Sequence, residues 1–423
     1  MNPRQVLSIV MALPTTMWSL SAHAQDETDK PTGAQTPPEP AIKPEGAPPS
    51  EAVKQEDVPK LTQPEAGAPL AKAEISKESQ ASPKNETEDA SDKVKVDVNG
   101  SAIIYFYQPF LPEVHHNFEL LFANGIVDAS MGDFGLHTEG RIRATKLFSY
   151  YPSNVWVEEI YAYYKHEYVT AKVGKVYSQF GVFWDGSFSG NVHMYEGLKL
   201  DTDYGISLEG STGGETGMTL GYVLQYFIRD ADTNYSAPGR DTLSIADSHQ
   251  RHSVVARAQP AYHFKKDVAL TMGLSGQYFQ ADLATVGKKN VFRFGGDLKF
   301  EYGPWSIFGE FTRQIGQSVT DHPFAGTEAT ATEPAVPGRA SSHNNYVIAS
   351  SQIKIWKFTP RYAFSAAQFQ DVDVSEGMHN AGVAFDPHDN ITLALEYVRW
   401  QRNDLAASTL LDHSLYVVLW PHF

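Results

Sequence analysis

The sequence predicts an all-β fold, specifically a transmembrane antiparallel up-and-down β-barrel. Three observations carry that prediction. Apolar residues recur with period two over runs of about ten residues or more, the length a tilted membrane strand needs. The connections between the runs alternate between short turns and longer polar stretches. The chain closes on an apolar dyad, Leu415, Val417 and Leu419, that ends at Phe423.

The dyads come first. In 291–302, Phe292, Phe294, Leu298, Phe300 and Tyr302 share one face, while Arg293, Asp297, Lys299 and Glu301 share the other. A strand alternates its side chains, so one face is oily and the other charged. Met218, Leu220, Tyr222, Leu224 and Tyr226 repeat the pattern, as do Val268, Leu270, Met272, Leu274 and Tyr278, and then Ile391, Leu393, Leu395 and Tyr397. A soluble sandwich would also alternate, but its strands average about 5–6 residues.

Short turns are expected near Glu167, Gly213, Lys265, Gly303, Lys357 and Asp386. Longer external loops are expected at about 179–202, 229–251, 281–290, 317–343, 371–377 and 403–411. Fifteen runs are clear, an odd number that an up-and-down barrel with both ends on one side forbids. Strands at 94–107 and 134–147 must both run outward, so an inward strand is missing between them. The weakly alternating stretch 118–131 supplies it. The count becomes sixteen, with fourteen and eighteen as neighbouring solutions.

The chain divides into three regions. Residues 1–24 read as a signal peptide, with Arg4, an apolar stretch 6–20, and the small-residue site Ala22-His23-Ala24. Residues 25–93 hold 11 prolines, 15 acids and 8 bases, and no Phe, Tyr or Trp. Such a segment buries too little apolar area to offset its ordering entropy, so a disordered periplasmic tether is expected. Residues 94–423 carry 50 of the 51 aromatics and form the barrel domain. The net charge of -16 argues against a nucleic-acid partner. The absence of cysteine excludes disulfides, thiol nucleophiles and thiolate metal sites. No Gly-rich phosphate loop or paired-carboxylate motif stands out. His115 and His116 are adjacent and would face opposite ways on a strand. Neither a metal nor a cofactor is expected.

A barrel of this size encloses water. Charges are costly on the lipid face, so the ionisable strand residues are expected to line the lumen. They are Arg141, Arg143, Lys172, Arg257, Arg293, Lys299, Lys354 and Arg361, with Glu139, Asp297 and Glu301 among the acids. The stretch 179–201 is long yet rich in Phe180, Phe183, Trp184, Phe188 and Tyr195. A loop left in water seldom carries so many apolar groups. It is expected to fold inward and narrow the pore, with Phe183, Trp184, Asp185, His193 and Glu196 at the constriction, opposite Arg141 and Arg143.

The stretch 160–181, IYAYYKHEYVTAKVGKVYSQFG, resembles the phosphate-selective porin family, in which a tyrosine-rich strand precedes a Val-Gly strand ending in Phe-Gly. Val173-Gly174 and Phe180-Gly181 match, and Gln179 stands where that family commonly has Pro. The resemblance implies a trimeric, sixteen-stranded channel in the outer membrane of a Gram-negative cell. There it would pass small hydrophilic solutes or ions, in contact with membrane lipid. Phe423 would then act as an assembly signal. Two other classes compete. One is an outer-membrane barrel enzyme built on a Ser–His pair. The other is a structural or adhesive barrel whose tether binds the cell wall.

Overall fold

The computed structural model describes residues 94–423 apart from 111–116, 144–153, 183–186, 193–201, 214–216, 231–248, 266, 284–286, 319–340 and 404–407. Residues 1–93, with the expected signal peptide and tether, lie outside the described residues, as do His115 and His116.

Sixteen strands follow one another: β1 (Lys95–Pro109), β2 (Asn117–Met131), β3 (Phe134–Ile142), β4 (Val155–Lys165), β5 (Thr170–Tyr177), β6 (Thr202–Thr212), β7 (Gly217–Asp230) and β8 (His249–Lys265) make the first half. The second half is β9 (Val268–Leu283), β10 (Gly287–Tyr302), β11 (Trp305–Ile315), β12 (His343–Ile353), β13 (Phe358–Phe369), β14 (Val374–His388), β15 (Ile391–Asn403) and β16 (Ser408–Pro421). Each strand pairs with the next, and β1 pairs antiparallel with β16, so the sheet closes into a barrel without free edges. The stretch 118–131 is indeed a strand, β2. At the seam, Ile104 faces Leu419. The Gly100 N–H donates to the Phe423 carbonyl at 2.8 Å, and the Phe423 N–H returns the bond to Gly100 at 2.9 Å. A Cβ at position 100 would lie 2.4 Å from the Phe423 ring, so only glycine lets that ring settle there.

The dyads sort as expected. Leu220, Leu224 and Tyr226 of β7, Met272 and Leu274 of β9, and Phe292, Phe294 and Leu298 of β10 are exposed on the outside. Between them Gln225, Ser275, Gln277, Arg293 and Asp297 are buried inside. The buried apolar residues therefore form no ordinary core. Ile103, Phe122, Trp156, Tyr346, Met378, Trp400 and Trp420 cluster on the inner wall and take Phe188 and Val192 among them.

The connections correct one expectation. The connections expected at 281–290, 371–377 and 403–411 are short: β9 runs to Leu283 and β10 resumes at Gly287, and the other two span 370–373 and 404–407. Their polar residues continue the strands. Toward the loop ends the strands carry polar residues on both faces, so hydropathy alternation fades while the hydrogen-bond ladder persists. Asp282 and Lys288 are cross-strand partners in that zone.

The outward dyad has a measurable consequence. Leu274 is 69% exposed near the middle of its strand's outer face. On the transmembrane reading of the sequence, Leu274→Arg should cost about 2–4 kcal/mol, the penalty for a midplane charge facing lipid. Lys299→Leu, on the inner face, should cost well under half of that. Denaturant unfolding in lipid vesicles measures both.

Candidate functional site

The lumen is organised by the segment between β5 and β6. After Tyr177 the chain leaves the wall and crosses the inside of the barrel. The Gln179 N–H donates to Gln225 Oε1 at 2.8 Å, and Gln225 Nε2 donates back to the Tyr177 carbonyl at 2.9 Å. Phe180 packs on Val176, Phe227 and Val255. Gly181, at φ 66°, takes the left-handed turn that follows. Its N–H donates to Ser275 Oγ on β9 at 3.0 Å, and the Val182 N–H donates to Glu310 on β11 at 2.7 Å.

The segment 187–192 is seated further round, on β13 to β16. Glu396, fully buried, accepts from Ser187 Oγ at 2.8 Å and from the Phe188 and Ser189 N–H groups at 3.0 and 3.3 Å. Arg361 pairs with the same carboxylate and lies 4.4 Å over the Phe188 ring. Phe188 meets Trp420 edge-on at 5.9 Å. Asn380 Nδ2 donates to the Gly190 carbonyl at 2.6 Å, and the Val192 N–H donates to Ser365 Oγ at 3.0 Å. Phe183, Trp184, Asp185, His193 and Glu196 lie outside the described residues.

A further part of the inner wall belongs to β2–β6, which the segment meets where Gln179 Nε2 donates to Glu209 at 2.6 Å. Arg141 is bound by Glu139 at 2.7 Å and Glu158 at 3.2 Å, donates to the Tyr177 hydroxyl at 3.1 Å, and lies 4.7 Å over Phe122. Its charge is met by its own wall. Glu158 and Glu159 are adjacent, so a regular strand would point them apart. A register shift between Glu139 and Gly140 sets Glu158 beside Arg141 and Trp156, while Glu159 accepts from the Tyr177 N–H. Sequence alternation gave no sign of that bulge. Lys172 pairs with Glu209 and sits 5.0 Å over Tyr161. Arg143, two positions beyond Arg141, is also buried.

Two further clusters occupy β8–β11. Arg257 grips Asp297 with both guanidinium nitrogens, at 2.7 and 3.0 Å, and reaches Ser275 at 2.8 Å. Gly273 makes room for this pair: a Cβ there would stand 2.2 Å from Asp297 Oδ2. Arg293 is held by Gln314, Gln277 and Ser318 at 2.8–3.2 Å.

No protein-family model and no curated protein matches this chain in sequence. Solved structures do match in shape. The outer membrane channel DcaP of Acinetobacter baumannii aligns over 78% of this chain and 97% of its own, at 11% identity and a TM-score of 0.52. Salmonella typhi OmpF, in complex with daunomycin, aligns over 79% and 99%, at 13% identity and a TM-score of 0.54. A loop L8 deletion mutant of OmpT from Vibrio cholerae aligns over 78% and 100%, at 12% identity and a TM-score of 0.50. This chain has the porin fold.

On the porin barrel the remaining candidates are more peripheral. Lys299 and Glu301 pair at 2.8 Å near the turn end of β10, both half exposed. Lys354 is exposed in the β12–β13 turn and not on a strand wall, because β12 ends one residue earlier at Ile353. Among the described residues no group of three or more metal-binding side chains is arranged to hold a metal ion.

One Ser–His–Asp group does form, at the loop end of β12 and β13. Ser342 Oγ lies 2.7 Å from Asp371, and His343 Nδ1 lies 3.1 Å from the same carboxylate. Burial acts to raise the Asp371 carboxyl, but hydrogen bonds from Ser342 and His343 outweigh it and hold the group below its ordinary value. The serine reaches Nδ1, at 3.4 Å, on the side of the ring that the carboxylate already occupies. Activation as in a triad would place it at the other nitrogen. The group is a clasp for the rim.

Proposed function

We propose that residues 94–423 form an outer-membrane porin of a Gram-negative cell, giving passive diffusion of small hydrophilic solutes or ions. The carrying observation is the closed sixteen-stranded barrel, apolar outside and polar inside, with a chain segment folded across its lumen. The segment 179–201 is the constriction, and the functional unit is a trimer. The porin-like likenesses and the unsuited Ser342 geometry both favour a channel over an enzyme. Residues 1–24 export the chain, and 25–93 form a periplasmic tether that conduction does not need.

The eyelet in this reading lies between the seated segment and the β2–β6 wall. That wall holds Glu139, Glu158, Glu159 and Glu209 against Arg141, Arg143 and Lys172, and both Arg141 and Lys172 are paired with carboxylates of the same wall. A channel selects by the field at its narrowest part, so cations should be favoured. Reconstitution in planar bilayers should give stepwise conductance, and a salt gradient should give a reversal potential of the sign for cation preference. A barrel that stays closed would remove the porin reading. The anion sign would place the selecting charge on the arginines.

A further inference from the structure

The outer face of the barrel is not uniform around its circumference. Cross-strand partners share a face, so the register places Arg229 beside Arg251, and Arg251 in line with Gln280, outside the barrel. Lys288 pairs with Asp282 on the same face. Arg313 stands between the exposed Phe311 and Ile315, and Arg399 continues the exposed Leu393 and Leu395. All five cations lie toward the loop ends of their strands, on the arc from β7 to β15. Arg251 has Asp282 at 3.9 Å. Among the described residues Arg313 and Arg399 bond neutral amides, Asn345 at 3.1 Å and Gln401 at 3.3 Å, and neither makes an ion pair.

The rest of the circumference differs. Among the described residues on the outer face of β1–β6, the loop ends carry Phe110, Phe118, Ile142, Val155 and Ile206, all exposed. The lysine on that face, Lys175, is buried with Nζ on the Val157 carbonyl. The turn ends of the barrel are ringed by exposed aromatics such as Phe134, Tyr262, Tyr302, Trp305 and Trp356. The basic band is thus confined to one end and one arc.

Its height is informative. Arg313 and Arg399 each stand eight positions beyond the turn ends of their strands, Trp305 and Ile391. At about 3.3 Å per residue and a tilt of roughly 40° that is about 20 Å, near the top of the apolar band of about 25 Å. Arg251 and Lys288 stand higher still. The cations begin where hydrocarbon gives way to headgroups, and a guanidinium fork suits phosphate oxygens.

We infer that this arc is a docking surface for the phosphate groups of an anionic outer-leaflet lipid, with Arg313 and Arg399 as its lower anchors. The inference rests on the outer-membrane reading above. The test is native mass spectrometry of the full-length protein in neutral detergent, titrated with a bis-phosphorylated glucosamine lipid, with its dephosphorylated form, or with inorganic phosphate. The phosphorylated lipid should be retained at concentrations at least about tenfold lower than the dephosphorylated one, given about fivefold per surface cation. Arg313→Gln with Arg399→Gln should weaken retention by about twentyfold on the same basis. Lys95→Gln, at the opposite end of the barrel, should leave it unchanged. Equal retention of the two lipids, undiminished retention by the double variant, or displacement by millimolar inorganic phosphate would overturn the inference. Conductance of the same samples, measured separately, decides the porin reading.

Discussion

Replacing residues 178–201 by a two-residue Asn-Gly turn should widen the channel. Tyr177 and Thr202 are cross-strand partners, so a tight hairpin can join β5 to β6 directly. Everything that now crosses the lumen would go, including Phe180, Phe188 and Val192. Conductance follows the cross-section at the narrowest point, so single-channel conductance should rise roughly twofold or more. Cation preference should persist in weaker form, because the β2–β6 carboxylates remain. Heat-modifiable migration on gels checks that the barrel still forms. Unchanged conductance in a folded variant would move the constriction elsewhere.

The second large effect comes from a single side chain. Glu396→Ala should unseat the segment 187–192 without removing it. The carboxylate gathers four donors from that segment, the Ser187 and Ser189 hydroxyls and the Phe188 and Ser189 N–H groups, and the guanidinium of Arg361. Its loss leaves Arg361 buried without its counter-charge and leaves N–H groups unsatisfied. Breaking a buried pair on one side costs about 3–5 kcal/mol. The folded channel should show larger and noisier openings, because the segment no longer rests against β15. Glu396→Gln with Arg361→Met should recover much of the stability, since no orphaned charge remains. A recovery no better than Glu396→Ala alone would show that the donors from 187–192, and not the ion pair, dominate.

How much of this was legible beforehand depends on which force acts at each place. The dyads at 218–226, 268–278 and 291–302 could be read directly, because an apolar outer face and a polar inner face leave an unmistakable alternation. The strand count followed from parity, and the weak run 118–131 is weak because its outer face holds Ala123, Gly125 and Ala129 in place of large apolar groups. The shortness of the connections at 284–286 and 404–407 was not legible, since strands polar on both faces lose their hydropathy signal. The inward arginines were found, but their neutralisation was hidden. Glu158 reaches Arg141 only through a one-residue register shift, and Asp297 reaches Arg257 across the space that Gly273 leaves empty. The carboxylate that seats the crossing segment lies 207 positions from Ser189, beyond the reach of any local pattern.

The seam between β1 and β16 also governs how the protein folds. Every other strand pair joins sequence neighbours, while Ile104 and Leu419 are separated by 315 positions. Loop-closure entropy grows only slowly with length, at about 0.6 kcal/mol per doubling, but it must be met before this contact returns anything. Folding should therefore proceed as a growing open sheet whose first strand waits for its last. Until they meet, both edges offer unpaired N–H and C=O groups to other chains. The paired bonds between Gly100 and Phe423, and the ring that rests over that glycine, complete the final step. The time an unfinished barrel spends exposed to aggregation is set there.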